Sequence, residues 1–240
     1  MEYVLFGKKR YCNLIEYPKD FKMTRKHENT LKILLDILRL WNKEAEKMGV
    51  DWWVDGGTLL GVVRHNGFIP WDDDADICVP FQFYEKIKNY SGVLDIQESV
   101  CGFKIRFPKT IYPFMDIFLV DKQENNYKYC APIIFGEPTF KIQKIYEKFN
   151  TPINLVYPIR KALFENICVN IPNNPRELVL LNYGKDCLTH GKSWNQFYHR
   201  IDVEKIDKIA MKVLPALDIF EKITKKEDIL IPVIKKIMNH

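Results

Sequence analysis

Apolar residues at Leu31, Leu34, Leu35, Leu38 and Trp41 recur every three or four positions. That is the period of one helix face, so residues 25–48 are predicted to form a helix, with Gly49 as its stop. The pattern then changes. "VDWWVDGG" (50–57) is a short apolar run ending in two glycines and reads as a strand. "TLLGVVRHNG" (58–67) reads as a short helix, with Thr58 near its start and Gly67 past its end. "ADICVP" (75–80) and "PFMDIFLVD" (113–121) have the β-branched and aromatic content of strands. "FQFYEKIKNY" (81–90) is predicted helical, and "SGVLDIQES" and "GFKIRFP" are predicted strands. Residues 122–174 are mixed and broken by prolines. "NPRELVLLNYG" (174–184) reads as a helix with Pro175 in its first turn and Gly184 at its end. Residues 202–240 read as mainly helical, interrupted at Pro215 and Pro232.

These elements predict an α+β fold: one mixed β-sheet flanked by helices, with a helical C-terminal appendage. No repeat or linker divides the chain. The expectation is a single domain over 1–240, with a core at about 30–190 and a tail at about 202–240.

Composition narrows the function classes. With 240 residues, 47% hydrophobic and 28% charged, the chain is globular rather than disordered. Its net charge of +5 is mild, and its basic residues are scattered. No nucleic-acid partner is expected from such a distribution. The six cysteines form no CxxC pair, which argues against a zinc ribbon or a redox motif. The first residues lack the pattern of a signal peptide, and no apolar stretch is long enough to span a membrane. A reducing, cytoplasmic location is the expectation.

The chemistry concentrates in "GGTLLGVVRHNGFIPWDDDADICVP" (56–80). Four aspartates, Asp72, Asp73, Asp74 and Asp76, fall within five residues and run into an apolar strand. Residues two apart share a strand face, so Asp74 and Asp76 project together while Ala75, Ile77 and Val79 face the other way. Two adjacent carboxylates suit a hard divalent cation, Mg2+ or Mn2+, which takes oxygen ligands. A solvated acidic turn is the plainer alternative, but Ile69 and Trp71 before the run and Ile77 and Val79 after it argue against that. Asp116 interrupts an apolar strand on its Phe114–Phe118 side and is the candidate third ligand. The alternative for Asp116 is an ion pair with Lys104 or Arg106. Asp121, at the strand's end, reads as a turn residue. The Gly56–Gly57 turn before a helix start could admit a phosphate to backbone N–H groups. Thr58 and Arg64 are the candidate polar partners there, whereas His65 reads as structural.

Together, "DGGTLLGVVRHNGFIPWDDDADI", "FMDIFLV" and "YPIRKALFENICVNIPNNPRELVLLNYG" resemble the LicD family, which includes bacterial phosphocholine transferases, fukutin and fukutin-related protein. The resemblance spans about residues 30–190, with Asn166 standing where the family's Phe-Glu-Gly-like turn has its third residue. It implies a nucleotidyltransferase-type fold. It also implies transfer of a phospho-alcohol, such as phosphocholine or ribitol phosphate, from a CDP-linked donor to a sugar hydroxyl of a glycan or glycoconjugate. Asp74, Asp76 and Asp116 would then hold the metal, and Asp116 or Asp72 would take the acceptor's proton. Gly56, Gly57, Thr58 and Arg64 would meet the donor. The competing readings are a nucleotidyltransferase acting on RNA, a small molecule or a protein, and a catalytically inactive binding module that keeps the fold; the presence of every required acid argues against the latter.

Overall fold

The computed structural model describes residues 1–19, 21–99, 102–130 and 150–191. The expected helical appendage at 202–240 lies outside the described residues.

A hairpin opens the chain, β1 (Glu2–Leu5) against β2 (Lys8–Tyr11). Helix α1 (Arg25–Met48) follows. Thr24 accepts the His27 N–H at its start, and Gly49, at φ 60°, ends it in the left-handed conformation. Both ends thus satisfy backbone groups that a helix leaves unpaired. Leu31, Leu34, Leu35, Leu38 and Trp41 are all buried, as their spacing predicts.

Next come β3 (Trp53–Val54), α2 (Gly56–His65), β4 (Ala75–Pro80) and α3 (Tyr84–Lys88). The predicted helix over 81–90 is shorter than expected, because Phe81–Phe83 form a 3₁₀ turn. Then follow β5 (Asp95–Ser99), β6 (Gly102–Arg106), β7 (Met115–Gln123), β8 (Asn126–Tyr129) and β9 (Asn150–Pro152). These seven strands form one sheet, with β3-β4-β7-β6-β5 side by side, β8 joined to the far half of β7, and β9 joined to β8. The β4–β7 pair is parallel and the others are antiparallel, so the sheet is mixed. After α4 (Ile153–Val156), a second hairpin, β10 (Arg160–Phe164) and β11 (Ile167–Ile171), leads into α5 (Pro175–Tyr183).

Strand alternation sorts the sheet into two faces. Ala75, Ile77, Val79, Met115, Ile117, Leu119, Phe103 and Ile105 belong to the main core, which also takes the apolar face of α1. Cys78 and Phe118, on the opposite face, belong to a smaller cluster with Trp53, Val120 and Tyr127. Asp76 and Asp116 share the parity of that second face.

One buried ion pair joins distant parts of this frame. The Arg10 guanidinium donates from both terminal nitrogens to the two carboxylate oxygens of Glu165, in the β10–β11 turn. Glu165 also accepts the Phe68 N–H at 3.0 Å. A Cβ on Gly67 would lie 2.0 Å from the same carboxylate, so a side chain there would displace the pair. The pair therefore holds the segment that leads from α2 to the aspartates. The Glu165 side chain is only 2% exposed, so Glu165→Ala leaves a guanidinium without its partner. Unfolding in urea is expected to show a loss of roughly 3–5 kcal/mol. A loss below about 1 kcal/mol would mean that the pair is solvated in practice.

Candidate active site

Asp76 and Asp116 are direct neighbours in the parallel register of β4 and β7. Asp74, two residues upstream, joins them. Carboxylate oxygens of Asp74, Asp76 and Asp116 all lie within 4.8 Å of one another, and a second trio, Asp72, Asp73 and Asp74, meets the same limit. The structure thus brings together the aspartates singled out in the sequence. Asp121 is exposed, and it is not the turn residue the sequence suggests: β7 runs on to Gln123 and pairs Asp121 with Lys128 of β8, on the opposite strand parity to Asp116.

Asp116 also satisfies the alternative weighed for it. The Lys104 ammonium lies 2.7 Å from Asp116 Oδ1 and 3.5 Å from the centroid of the Phe114 ring. Convergence and ion pairing coexist.

The glycine pair is built against these acids. Asp55 is the N-cap of α2, and Gly56, at φ 54°, occupies the left-handed region that favours glycine. A Cβ on Gly56 would lie 2.4 Å from Asp76 Oδ2, and one on Gly57 would lie 2.5 Å from Asp72 Oδ2. The Gly57 N–H donates to Asp76 Oδ2 at 3.2 Å. Carboxylates fill the space beside both α-carbons, where the sequence suggested a phosphate. Thr58 is 4% exposed, and its hydroxyl accepts the Asp76 N–H at 2.8 Å. The Arg64 guanidinium donates to the carbonyls of Cys187, at 2.6 Å, and His190, at 3.3 Å, and lies over the Trp71 ring. His65 is buried between Trp71 and Tyr3, and burial lowers its pKa to about 3, so it stays neutral.

A cavity of about 580 Å³ opens over the acids. It is lined by Gly57, Arg64, Trp71, Asp72, Asp73, Asp74 and Asp76, together with Tyr183, Lys185 and His190. Its volume suits a small-molecule ligand. The wall at 185–190 is held by Arg64 and by the N-terminal segment, where the Ile15 N–H donates to the Thr189 carbonyl at 2.8 Å. Sequence reading matched "NYG" to a family element without placing it over the acids.

Asp55 was also missed. It is 4% exposed. It accepts from the Tyr129 hydroxyl and, at 3.1 Å, from the Cys78 thiol, while its N–H donates to the Asp76 carbonyl at 3.0 Å. The available signal was an acid set between "WWV" and the double glycine, a place too apolar for a solvated one.

Electrostatics matches the crowding. Burial first, then neighbouring carboxylates, raises Asp72 and Asp76 well above the ordinary carboxylate range. The same causes bring Asp74 to about 6, with Lys104 opposing them. Burial also raises Asp116, again opposed by Lys104. A raised folded-state pKa means that the folded chain holds more protons than the unfolded one. This contribution to stability is fully present below the unfolded value, about 4, and is lost as pH rises through the folded one, near 6 for Asp74. Asp74→Asn should therefore gain stability over the metal-free parent at pH 7 relative to pH 5. Magnesium uptake by the parent near pH 6 should release protons, seen by calorimetry in two buffers of different ionisation enthalpy. Uptake without proton release would show that the acids are already ionised.

The acids lie on adjacent parallel strands of a mixed sheet flanked by helices, and Gly56–Gly57, expected as a turn before a helix, are the first residues of α2 itself. The chain belongs to the LicD family: the family model "LicD/FKTN/FKRP, nucleotidyltransferase domain" matches residues 49–174. An uncharacterized protein of Rickettsia typhi, RT0683, is 29% identical over 178 residues, covering 72% of this chain and 52% of that protein. The lipopolysaccharide cholinephosphotransferase LicD of Haemophilus influenzae is 26% identical over 136 residues, covering 46% and 50%. The ribitol 5-phosphate transferase FKRP of Mus musculus is 26% identical over 161 residues, covering 64% and 32%. The chain thus spans about half the length of the first of these relatives and about a third of FKRP. Among solved structures, the lincosamide adenylyltransferase LnuA overlaps at a TM-score of 0.39 and 16% identity, covering 74% of this chain and 96% of that one. No helix of the described residues is long and apolar enough to cross a membrane.

Proposed function

We propose that this chain is a metal-dependent phosphotransferase that moves a phospho-alcohol, such as phosphocholine or ribitol phosphate, from a CDP-linked donor to a sugar hydroxyl of a glycan. The observation that carries this reading is the Asp76–Asp116 register, which with Asp74 sets three carboxylates on one point beside a ligand-sized cavity. The oxygen-only donor set fits Mg2+ or Mn2+ and suits neither a thiolate- nor an imidazole-seeking ion. Asp74, Asp76 and Asp116 would hold the ion, which supplies charge neutralisation of the diphosphate.

The residues divide the remaining work. The Gly57 N–H and the Thr58 hydroxyl fix Asp76 in place. Arg64 holds the outer wall closed over the donor through the Cys187 and His190 carbonyls. Asp116 or Asp72 takes the proton of the acceptor hydroxyl. The acceptor oxygen bonds to the phosphorus bearing the alcohol, the bridging P–O bond breaks, and CMP leaves. The H. influenzae and mouse relatives, named for cholinephosphate and ribitol 5-phosphate transfer, support a phospho-alcohol as the group moved.

Incubation with CDP-choline, CDP-ribitol, CDP-glycerol and the four nucleoside triphosphates, each with magnesium or manganese, tests this reading. Release of CMP from a CDP-linked compound is expected. Release of pyrophosphate from a triphosphate would support the nucleotidyltransferase alternative.

A further inference from the structure

We propose that the Lys104 ammonium is the resident counter-cation of the Asp74–Asp76–Asp116 cluster and competes with the divalent ion for it, so that Lys104 sets the metal affinity. This rests on the metal-site reading above. Across β4, β7 and β6, Asp76 pairs with Asp116 and Asp116 with Lys104, placing two acids and the ammonium in one row. Lys104 Nζ lies 2.7 Å from Asp116 Oδ1, and Asp116 in turn offers an oxygen within 4.8 Å of oxygens on both other acids. A divalent ion bound to that trio would therefore sit within a few ångströms of the ammonium, and like charges at that range repel strongly where water is scarce.

The surroundings let the ammonium yield. The Lys104 side chain is 34% exposed, so it can turn toward solvent. The Phe114 ring already carries the ammonium at 3.5 Å, so an ammonium released by Asp116 keeps one favourable partner. Lys104 is thus suited to keep the metal-free cluster folded, at the cost of weaker metal binding.

Two independent readings separate this role from a structural one. Metal-free Lys104→Met should melt at a lower temperature than the parent, and its Kd for Mn2+, measured by calorimetry, should be tighter by about tenfold. Its manganese-induced rise in melting temperature should be correspondingly larger. Lys104→Arg, which keeps the charge, should bind manganese like the parent, and should Lys104→Met fold poorly, Lys104→Gln should show the same tightening of manganese affinity. An unchanged or weaker manganese affinity in the uncharged variants, beside a parent that binds, overturns the competition and leaves the metal site standing. A parent that binds neither manganese nor magnesium overturns both.

Discussion

An Asp116→Asn enzyme is expected to turn over roughly 10²–10⁴-fold more slowly than the parent, the scale of losing a general base. The asparagine keeps the size of the side chain and an acceptor for Lys104, so β7 should keep its register. What is lost is the charge facing Asp74 and Asp76. Those two, changed singly to asparagine, should abolish measurable turnover and leave the metal-free fold unchanged or slightly more stable, because each relieves repulsion among buried carboxylates. Asp121→Asn is the matched control, one strand residue of the same type but exposed. It should behave like the parent. Rates for CMP release and urea midpoints, taken together, check all four variants. An inactive Asp121→Asn beside an active Asp116→Asn would move the site to the end of the strand.

The second large effect is expected at the glycines. Gly56→Ala forces a side chain into the left-handed region, costing about 1–2 kcal/mol, and sets its Cβ against the Asp76 carboxylate. Gly57→Ala carries no such backbone cost but sets its Cβ against Asp72. Both should lose most of their turnover. Only Gly56→Ala should lose stability by that amount, and it should also lose the magnesium-induced rise in melting temperature, since Asp76 belongs to the ligand trio. If Gly56→Ala keeps the parental magnesium response, the position of the Asp76 carboxylate is not set by this close approach.

Local signals carried most of the frame. The leucine spacing of α1 and its Gly49 stop, and the alternation in β4 and β7, depend on neighbours in the chain, so they were readable without a structure. The aspartate run and the double glycine stood out because four charges beside an apolar strand are costly unless used. Whether β4 and β7 touch, and that Asp76 falls opposite Asp116, depends on pairing between segments about forty residues apart, which no local pattern specifies. The same limit hid the wall at Tyr183–His190, held by Arg64 and by residues 15–16 from the other end of the chain. In the sequence the glycines suggest room for phosphate; that carboxylates from positions 72 and 76 fold back into that room is set by contacts between separate segments. Glu165 is visible in the sequence only as the middle residue of the Phe-Glu-Gly-like turn, not in its role: at φ 57° it sits in a turn that commonly uses glycine or asparagine, and only the fold shows the Arg10 pair and the Phe68 N–H that hold it there.

The most direct test of the site is anomalous diffraction at the manganese edge from crystals grown with manganese and a CDP-linked donor. A peak bounded by carboxylate oxygens of Asp74, Asp76 and Asp116, at about 2.0–2.3 Å from each, is the expected result, with the donor's diphosphate in the cavity faced by Arg64 and Tyr183. A manganese peak elsewhere, or a donor bound with that trio bare and Lys104 still seated on Asp116, would contradict it.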